Sequence, residues 1–135
     1  MSNELLKLSI VTPAGLLYDD DVKEVYAPAA KGEIGVMPGH VPFISTTEPG
    51  IIHLIDKDAK ELFFASKIGF LQVDDNKVNI LVEEAKSSTD LEVAYIENKI
   101  SELNTFLNGK GMNDEGYEKA SLELKFYTKM LEIKE

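Results

Sequence analysis

Only two imidazoles occur in this chain, and one of them, His40, stands between Pro38 and Pro42 in Lys31-Gly32-Glu33-Ile34-Gly35-Val36-Met37-Pro38-Gly39-His40-Val41-Pro42-Phe43. An imidazole held between prolines could serve as a general base, a metal ligand or a contact point. Base catalysis also needs a nucleophile and a group that stabilises developing charge, and neither histidine falls in a recognisable nucleophile motif. Metal binding needs partners, and no histidine or carboxylate stands at a helical ligand spacing from His40. His53, inside Ile51-Ile52-His53-Leu54-Ile55, reads as a polar residue on a half-exposed strand face.

Other candidate motifs fail on spacing. Asp19-Asp20-Asp21 lacks the alternating donors, central glycine and distal glutamate of a calcium loop, so it reads as a solvated turn. Gly109-Lys110-Gly111 lacks the earlier glycine and following Ser or Thr of a phosphate loop, so it joins two helices. The absence of cysteine removes thiol catalysis, disulfides and cysteine-ligated metals. With no arginine and a net charge of -10, the chain lacks the basic stripe of a nucleic-acid binder. No apolar stretch approaches the ~18 residues that signal a membrane span. Met1–Leu17 has neither the basic start nor the unbroken apolar middle of a signal peptide. These residues point away from an enzyme, and no cofactor or metal is expected.

The elements that position His40 are short. From Leu6 to about Glu84 the chain runs in segments rich in Val, Ile, Leu, Phe and Tyr, separated by Gly, Pro, Asp and Asn. Strands are expected near residues 7–11, 16–18, 22–28, 33–37, 43–46, 50–56, 61–66, 68–73 and 77–83. This pattern predicts a β-sandwich or flattened barrel over residues 1–86. At Ser87 the period changes. Thr89 and Glu92 form a capping-box pair, followed by an apolar stripe of Val93, Ile96, Ile100, Leu103 and Leu107. After Asn108-Gly109-Lys110-Gly111, Asn113 or Asp114 is expected to cap a second helix carrying Tyr117, Ala120, Leu124, Tyr127 and Leu131, with Glu115–Lys119 and Lys119–Glu123 pairs outward. Residues 87–135 therefore read as an antiparallel helical hairpin, too small to stand without docking on the β-domain or a partner.

Together these features resemble the epsilon-subunit family of the bacterial F-type ATP synthase. Gly32-Glu33-Ile34-Gly35-Val36-Met37-Pro38-Gly39-His40-Val41-Pro42 is similar to that family's Gly-Glu-(Leu/Ile)-Gly-(aliphatic)-X-Pro-Gly-His-(small)-Pro segment. Leu8-Ser9-Ile10-Val11-Thr12-Pro13, Glu48-Pro49-Gly50, Gly69-Phe70-Leu71-Gln72-Val73 and Asn76-Lys77-Val78-Asn79-Ile80-Leu81 extend the likeness over nearly the whole chain.

The resemblance implies a non-catalytic rotor subunit at the foot of the central stalk, peripheral to the cytoplasmic side of the bacterial inner membrane. Its partners would be the gamma subunit and the c ring. It implies c-ring contact through Lys31, Gly32 and Glu33, with His40 nearby. Phe43 and Ile44, just past the rigid turn, are the candidate gamma contacts, and core filling is the alternative for both. The hairpin is expected to regulate, folding against the sandwich or extending toward the catalytic alpha and beta subunits. ATP-sensing relatives open this hairpin with (Ile/Leu)-Asp-X-X-Arg-Ala, which is degenerate here at Leu91, Glu92 and Tyr95, so no ATP binding is expected. The tail after residue 86 carries six lysines against ten acidic residues, net -4, which disfavours engagement of an acidic surface. Two other readings stand beside the rotor subunit: a free-standing small-ligand-sensing domain with a mobile hairpin, and a hydrolase using His40.

Overall fold

The architecture is that of a computed structural model, which describes residues 4–133. Alternation along β1 (Leu6–Thr12), β7 (Gly69–Asp74) and β8 (Lys77–Val82) sends Leu6, Leu8, Ile10, Leu71, Val73, Val78 and Ile80 into the core. The same period turns Lys7, Phe70, Gln72, Asn79 and Leu81 outward, because successive side chains leave a strand on opposite faces. With β2 (Gly15–Ala29), β3 (Gly32–Val36), β4 (Phe43–Thr47), β5 (Gly50–Asp56), β6 (Glu61–Ser66) and β9 (Ala85–Ser87), these strands form one continuous sheet. Its order is β1-β8-β7-β4-β2-β5-β6-β9, with β3 paired to β2. Because β1 also pairs with β2, the first five strands of that order close on themselves as a flattened barrel. β1 and β8 run parallel, whereas the neighbouring β7–β8 and β1–β2 pairs are antiparallel.

The expected turn at Asp19-Asp20-Asp21 is instead the middle of β2, where these residues pair with Ser9, Leu8 and Lys7 of β1. Each carboxylate still reaches water at the rim, so charge and strand pairing are compatible there. Asp20 accepts from the Asp21 amide at 2.8 Å and stands 3.4 Å from the Lys57 ammonium. That amide bond, followed by Lys57, holds its carboxyl below the usual carboxylate range despite an opposing desolvation. β9, which the sequence reading lacks, pairs with β6 from Phe64↔Ser87 to Ser66↔Ala85. The boundary expected after residue 86 therefore falls inside a strand.

The hairpin also starts differently from its capping-box reading. The Ser87 hydroxyl accepts from the Thr89 amide, and Ser88–Asp90 form a short 3-10 turn. Leu91 then adopts an extended conformation, φ -100 and ψ 138, and is buried. Burying Leu91 breaks the helical run, so α1 (Val93–Asn108) begins after Glu92, which makes no side-chain cap. Asp114 turns the interhelical loop by accepting from the Gly111 amide at 2.7 Å, and α2 (Tyr117–Ile133) starts beyond it, leaving Glu115 outside the helix.

Two apolar clusters result. The first consists of strand residues, among them Leu8, Val25, Leu54, Leu71 and Ile80. The second joins Ala65, Leu91, Ile96, Phe126, Met130 and Ile133, with Ile51 and Phe63 packed against it. The hairpin is docked: α2 lies on β5 and β6, and α1 packs on α2.

Candidate functional site

Lys31 sits in the exposed two-residue turn after β2, and Gly32 and Glu33, also exposed, open β3, where Ala29 pairs with Gly32 and Pro28 with Glu33. Gly32 has φ +119, which side chains rarely adopt, so the tip needs glycine there. The Ala30 amide donates to Ser45 Oγ at 3.2 Å, tying the tip to β4. Both charged side chains are left facing solvent.

His40 is not beside that tip. It follows Val36, which ends β3 roughly 13 Å from Gly32 at the ~3.3 Å rise of a strand. Its amide donates to Met37 O at 3.1 Å, and Gly39 donates to Asn76 Oδ1 at 2.8 Å, fixing the turn against the β7–β8 connection. The ring lies edge-on to Phe43, with centroids 6.1 Å apart, and Nδ1 donates to Val41 O at 2.7 Å. One ring nitrogen is thus spent on ordering its own loop. Among the described residues no group of three or more His, Asp or Glu side chains converges as a metal site.

Phe43 and Ile44 point opposite ways. Phe43 packs against the strand core, whereas Ile44 is 72% exposed. On the same outer face, Phe70 and Leu81 are 57% and 49% exposed and are direct cross-strand partners. Ile44 pairs with Gln72, which places it diagonally from Phe70. Val11, opposite Leu81 on β1, continues the row, and a shallow apolar depression of about 420 Å³ lies beside it. The sequence reading missed Phe70 and Leu81 because an apolar residue in a strand is normally assigned to the core.

A second row crosses β2, β5 and β6. Tyr26 pairs with His53 and His53 with Phe63, and the His53 ring is stacked on both, at 5.6 and 4.4 Å between centroids. His53 Nε2 lies 2.8 Å from Glu61 Oε1, so the half-exposed position is met by a carboxylate. Tyr26 donates to Glu24 at 2.6 Å, and this bond, with burial and the charges of Glu24 and Glu33, pushes its phenol up.

At the hairpin entrance, the degenerate positions Leu91, Glu92 and Tyr95 line a cavity of about 360 Å³ together with Glu84, Lys86 and Tyr127. Tyr95 meets Tyr127 edge-on at 6.5 Å, and Lys99 lies 5.7 Å from the Tyr95 ring centroid. Burial, then the charge and hydrogen bond of Tyr95, with Glu84 and Glu123 behind them, push the Tyr127 phenol up to about 12. Tyr95, 53% exposed, touches α2 only along one ring edge.

Comparison with known proteins places this geometry. Residues 5–88 match the family model described as ATP synthase, Delta/Epsilon chain, beta-sandwich domain. The ATP synthase epsilon chain of Sulfurovum sp. (strain NBC37-1) is 42% identical over 82 residues, covering 61% of this chain and 64% of that one. That of Anoxybacillus flavithermus is 43% identical over 89 residues, covering 66% of each. The match thus spans just under two thirds of both relatives. The epsilon chain of Campylobacter concisus is 38% identical over 112 residues, covering 75% of this chain and 87% of that one. In solved structures, a chain of the Euglena gracilis mitochondrial ATP synthase (OSCP/F1/c-ring) shares the fold with TM-score 0.79 at 19% identity, covering 95% of this chain and 80% of that one. A chain of the Tetrahymena thermophila mitochondrial ATP synthase central stalk/c-ring has TM-score 0.65 at 13% identity, covering 96% and 98%. By the match of residues 5–88 to its β-sandwich domain and the likeness to its epsilon chains, this chain belongs to the ATP synthase delta/epsilon family.

Proposed function

We propose that the chain is a non-catalytic rotor subunit of an F-type ATP synthase, coupling the gamma subunit to the c ring. It would be peripheral to the cytoplasmic face of a bacterial inner membrane; no described helix is long and apolar enough to cross one. The observation that carries this reading is the outward row of Ile44, Phe70 and Leu81, since exposed apolar side chains gathered on one face favour a protein partner. Gamma is assigned to that row through Ile44, with Phe43 bracing it from the core side. The c ring is assigned to the tip of Lys31, Gly32 and Glu33. His40, at the other end of β3, contributes by stiffening the Pro38–Pro42 loop, which lowers the entropy lost on docking.

The test is reconstitution. Ile44→Glu should weaken association with gamma about tenfold, a loss of ~1.4 kcal/mol, the scale of the minority of interface residues that carry most of the binding energy. The charge lies in solvent in the free chain, so its thermal stability should hold. Substituting Lys31 and Glu33 together should lower ion-driven coupling while gamma stays bound, and His40→Ala should reduce assembly modestly. Retention of full gamma affinity by Ile44→Glu with Phe70→Glu would overturn the assignment.

The hairpin is assigned a regulatory role through two packings, the docked one and one extended toward the alpha and beta subunits. If removing the residues after Ser87 leaves hydrolysis by the assembled enzyme unchanged, a strong brake is excluded. We further propose that the cavity at Leu91, Glu92 and Tyr95 does not take ATP: its lining offers a polyphosphate one cation, Lys86, beside the Glu92 carboxylate and a Glu84 carboxylate already paired with Lys67, and the sequence has no arginine to add. Saturable micromolar heat on titration with ATP would refute this.

A further inference from the structure

Lys67 lies between β6 and β7, on the seam where α2 meets the sandwich, and it is the most buried member of a three-residue charge cluster. Its Nζ stands 3.2 Å from Glu84 Oε1 and 3.3 Å from Glu123 Oε1, with side-chain exposures of 19%, 41% and 33% for the three residues. The ammonium also sits 5.3 Å from the ring centroid of Phe126, the fully buried anchor of the helix–sheet cluster. The two carboxylates belong to different bodies. Glu84 lies in the β8–β9 connection, on the sandwich, where its carbonyl also accepts from the Lys67 amide at 2.9 Å. Glu123 is carried by α2.

We propose that Lys67 is an ionic latch for the hairpin, held permanently by Glu84 and closed reversibly by Glu123. This deepens the two-packing reading of the hairpin and rests on it. An ammonium facing a single carboxylate would be stranded when that partner leaves, which makes the breaking of a buried pair costly. Here Glu84 stays behind, so release of α2 moves Glu123 into water and leaves the cation paired. Burial opposes the charge on Lys67, but the two carboxylates outweigh it and hold its pKa above the ordinary lysine value, so the latch remains charged at neutral pH. A cleft of about 370 Å³, lined by Lys67 and Lys119 and by the carboxylates of Glu83, Glu118 and Glu123, opens beside the cluster, so the pair stands next to solvent. The latch is therefore sensitive to salt.

Hydrogen exchange on the full chain alone tests this. At low ionic strength Glu123→Gln should speed exchange of the α2 amides about three- to tenfold, the scale of a partly exposed charged pair. Roughly 0.5 M salt should shrink the difference from wild type toward unity. Lys67→Met, which keeps an apolar stem over Phe126, should give a similar loss. Glu84→Gln should leave α2 exchange unchanged or slower, because it removes a carboxylate that repels Glu123 and leaves the cation more dependent on docking. Wild-type exchange in Glu123→Gln or in Lys67→Met, or equal loosening by Glu84→Gln, would overturn the latch. No partner subunit enters these measurements, so their failure leaves the rotor assignment standing; failure of gamma binding would remove that assignment and leave the latch.

Discussion

Replacing Phe126 with alanine should release the hairpin and spare the barrel. Phe126 is fully buried, and it fills the centre of the cluster formed by Ala65, Leu91, Ile96, Met130 and Ile133. Truncating a buried phenylalanine typically costs ~3–5 kcal/mol, combining lost transfer energy with the cavity left behind. At ~1.4 kcal/mol per tenfold, that is a factor of about 10² to 4 × 10³ in the docking equilibrium. The strand cluster contains no hairpin residue, so the cost should not pass to β7 and β8. Residue-resolved native-state hydrogen exchange separates the two clusters. The α2 amides should exchange about 10² to 4 × 10³ faster, or reach the rate of a free helix, while amides of Leu71, Val73, Val78 and Ile80 stay within about twofold. Parallel acceleration of the β7 and β8 amides would refute the independence of the clusters. An α2 change below about threefold would refute Phe126 as the anchor.

Four further outcomes are expected. A Cβ at Gly69 would collide with the Leu81 carbonyl oxygen and approach Val82 Cα to 2.6 Å, so Gly69→Ala should cost about 2–3 kcal/mol in urea unfolding by forcing β7 from β8. The Tyr127 phenol is raised in the folded chain to about 12, so its stabilising effect is complete below the ordinary tyrosine value of 10.0. That effect is lost as pH climbs from there through about 12, so Tyr127→Phe should flatten the alkaline release of α2 followed by hydrogen exchange or circular dichroism. A fragment of residues 1–88 should fold, binding a hydrophobic dye through the uncovered Ile51, Phe63 and Ala65. A fragment of residues 1–86 cuts β9 at the Phe64↔Ser87 pair, and should be less stable by about 1 kcal/mol in thermal melts.

The strands were legible wherever one face meets the core and the other meets water. Along β8, Val78, Ile80 and Val82 are buried while Lys77, Asn79 and Leu81 are not, which is the alternation read from the residues. Asp19-Asp20-Asp21 misled because a run of charge resembles a turn, although a strand at a sheet rim can carry charge at every position. Thr89 and Glu92 had the spacing of a cap, but burial of Leu91 outweighed it. On α2, the stripe through Tyr127 was legible, and Tyr127 does meet Tyr95 of α1. Phe126, Met130 and Ile133 face the sheet instead, and a helix sandwiched between two layers has two apolar faces that a single stripe cannot describe. At the candidate docking surface the obstacle was parity. Nothing in the letters says whether Phe43 or Ile44 turns outward, and the exposure of Phe70 and Leu81 depends on which face the barrel leaves uncovered.

The sheet's closure has a mechanical consequence. Strands β1, β8, β7, β4 and β2 form a hoop, closed between β4 and β2 by the Ala29↔Thr47 pair, and that hoop bears Ile44, Phe70 and Leu81. The hairpin hangs from β5 and β6, the wing that projects beyond β2. In the proposed rotor, the load path runs from that row through β2 to the β2–β3 tip, and the control arm is mounted on β5 and β6, outside the hoop. Swinging the arm therefore need not slacken the coupling, and torque applied to the hoop need not trip the arm.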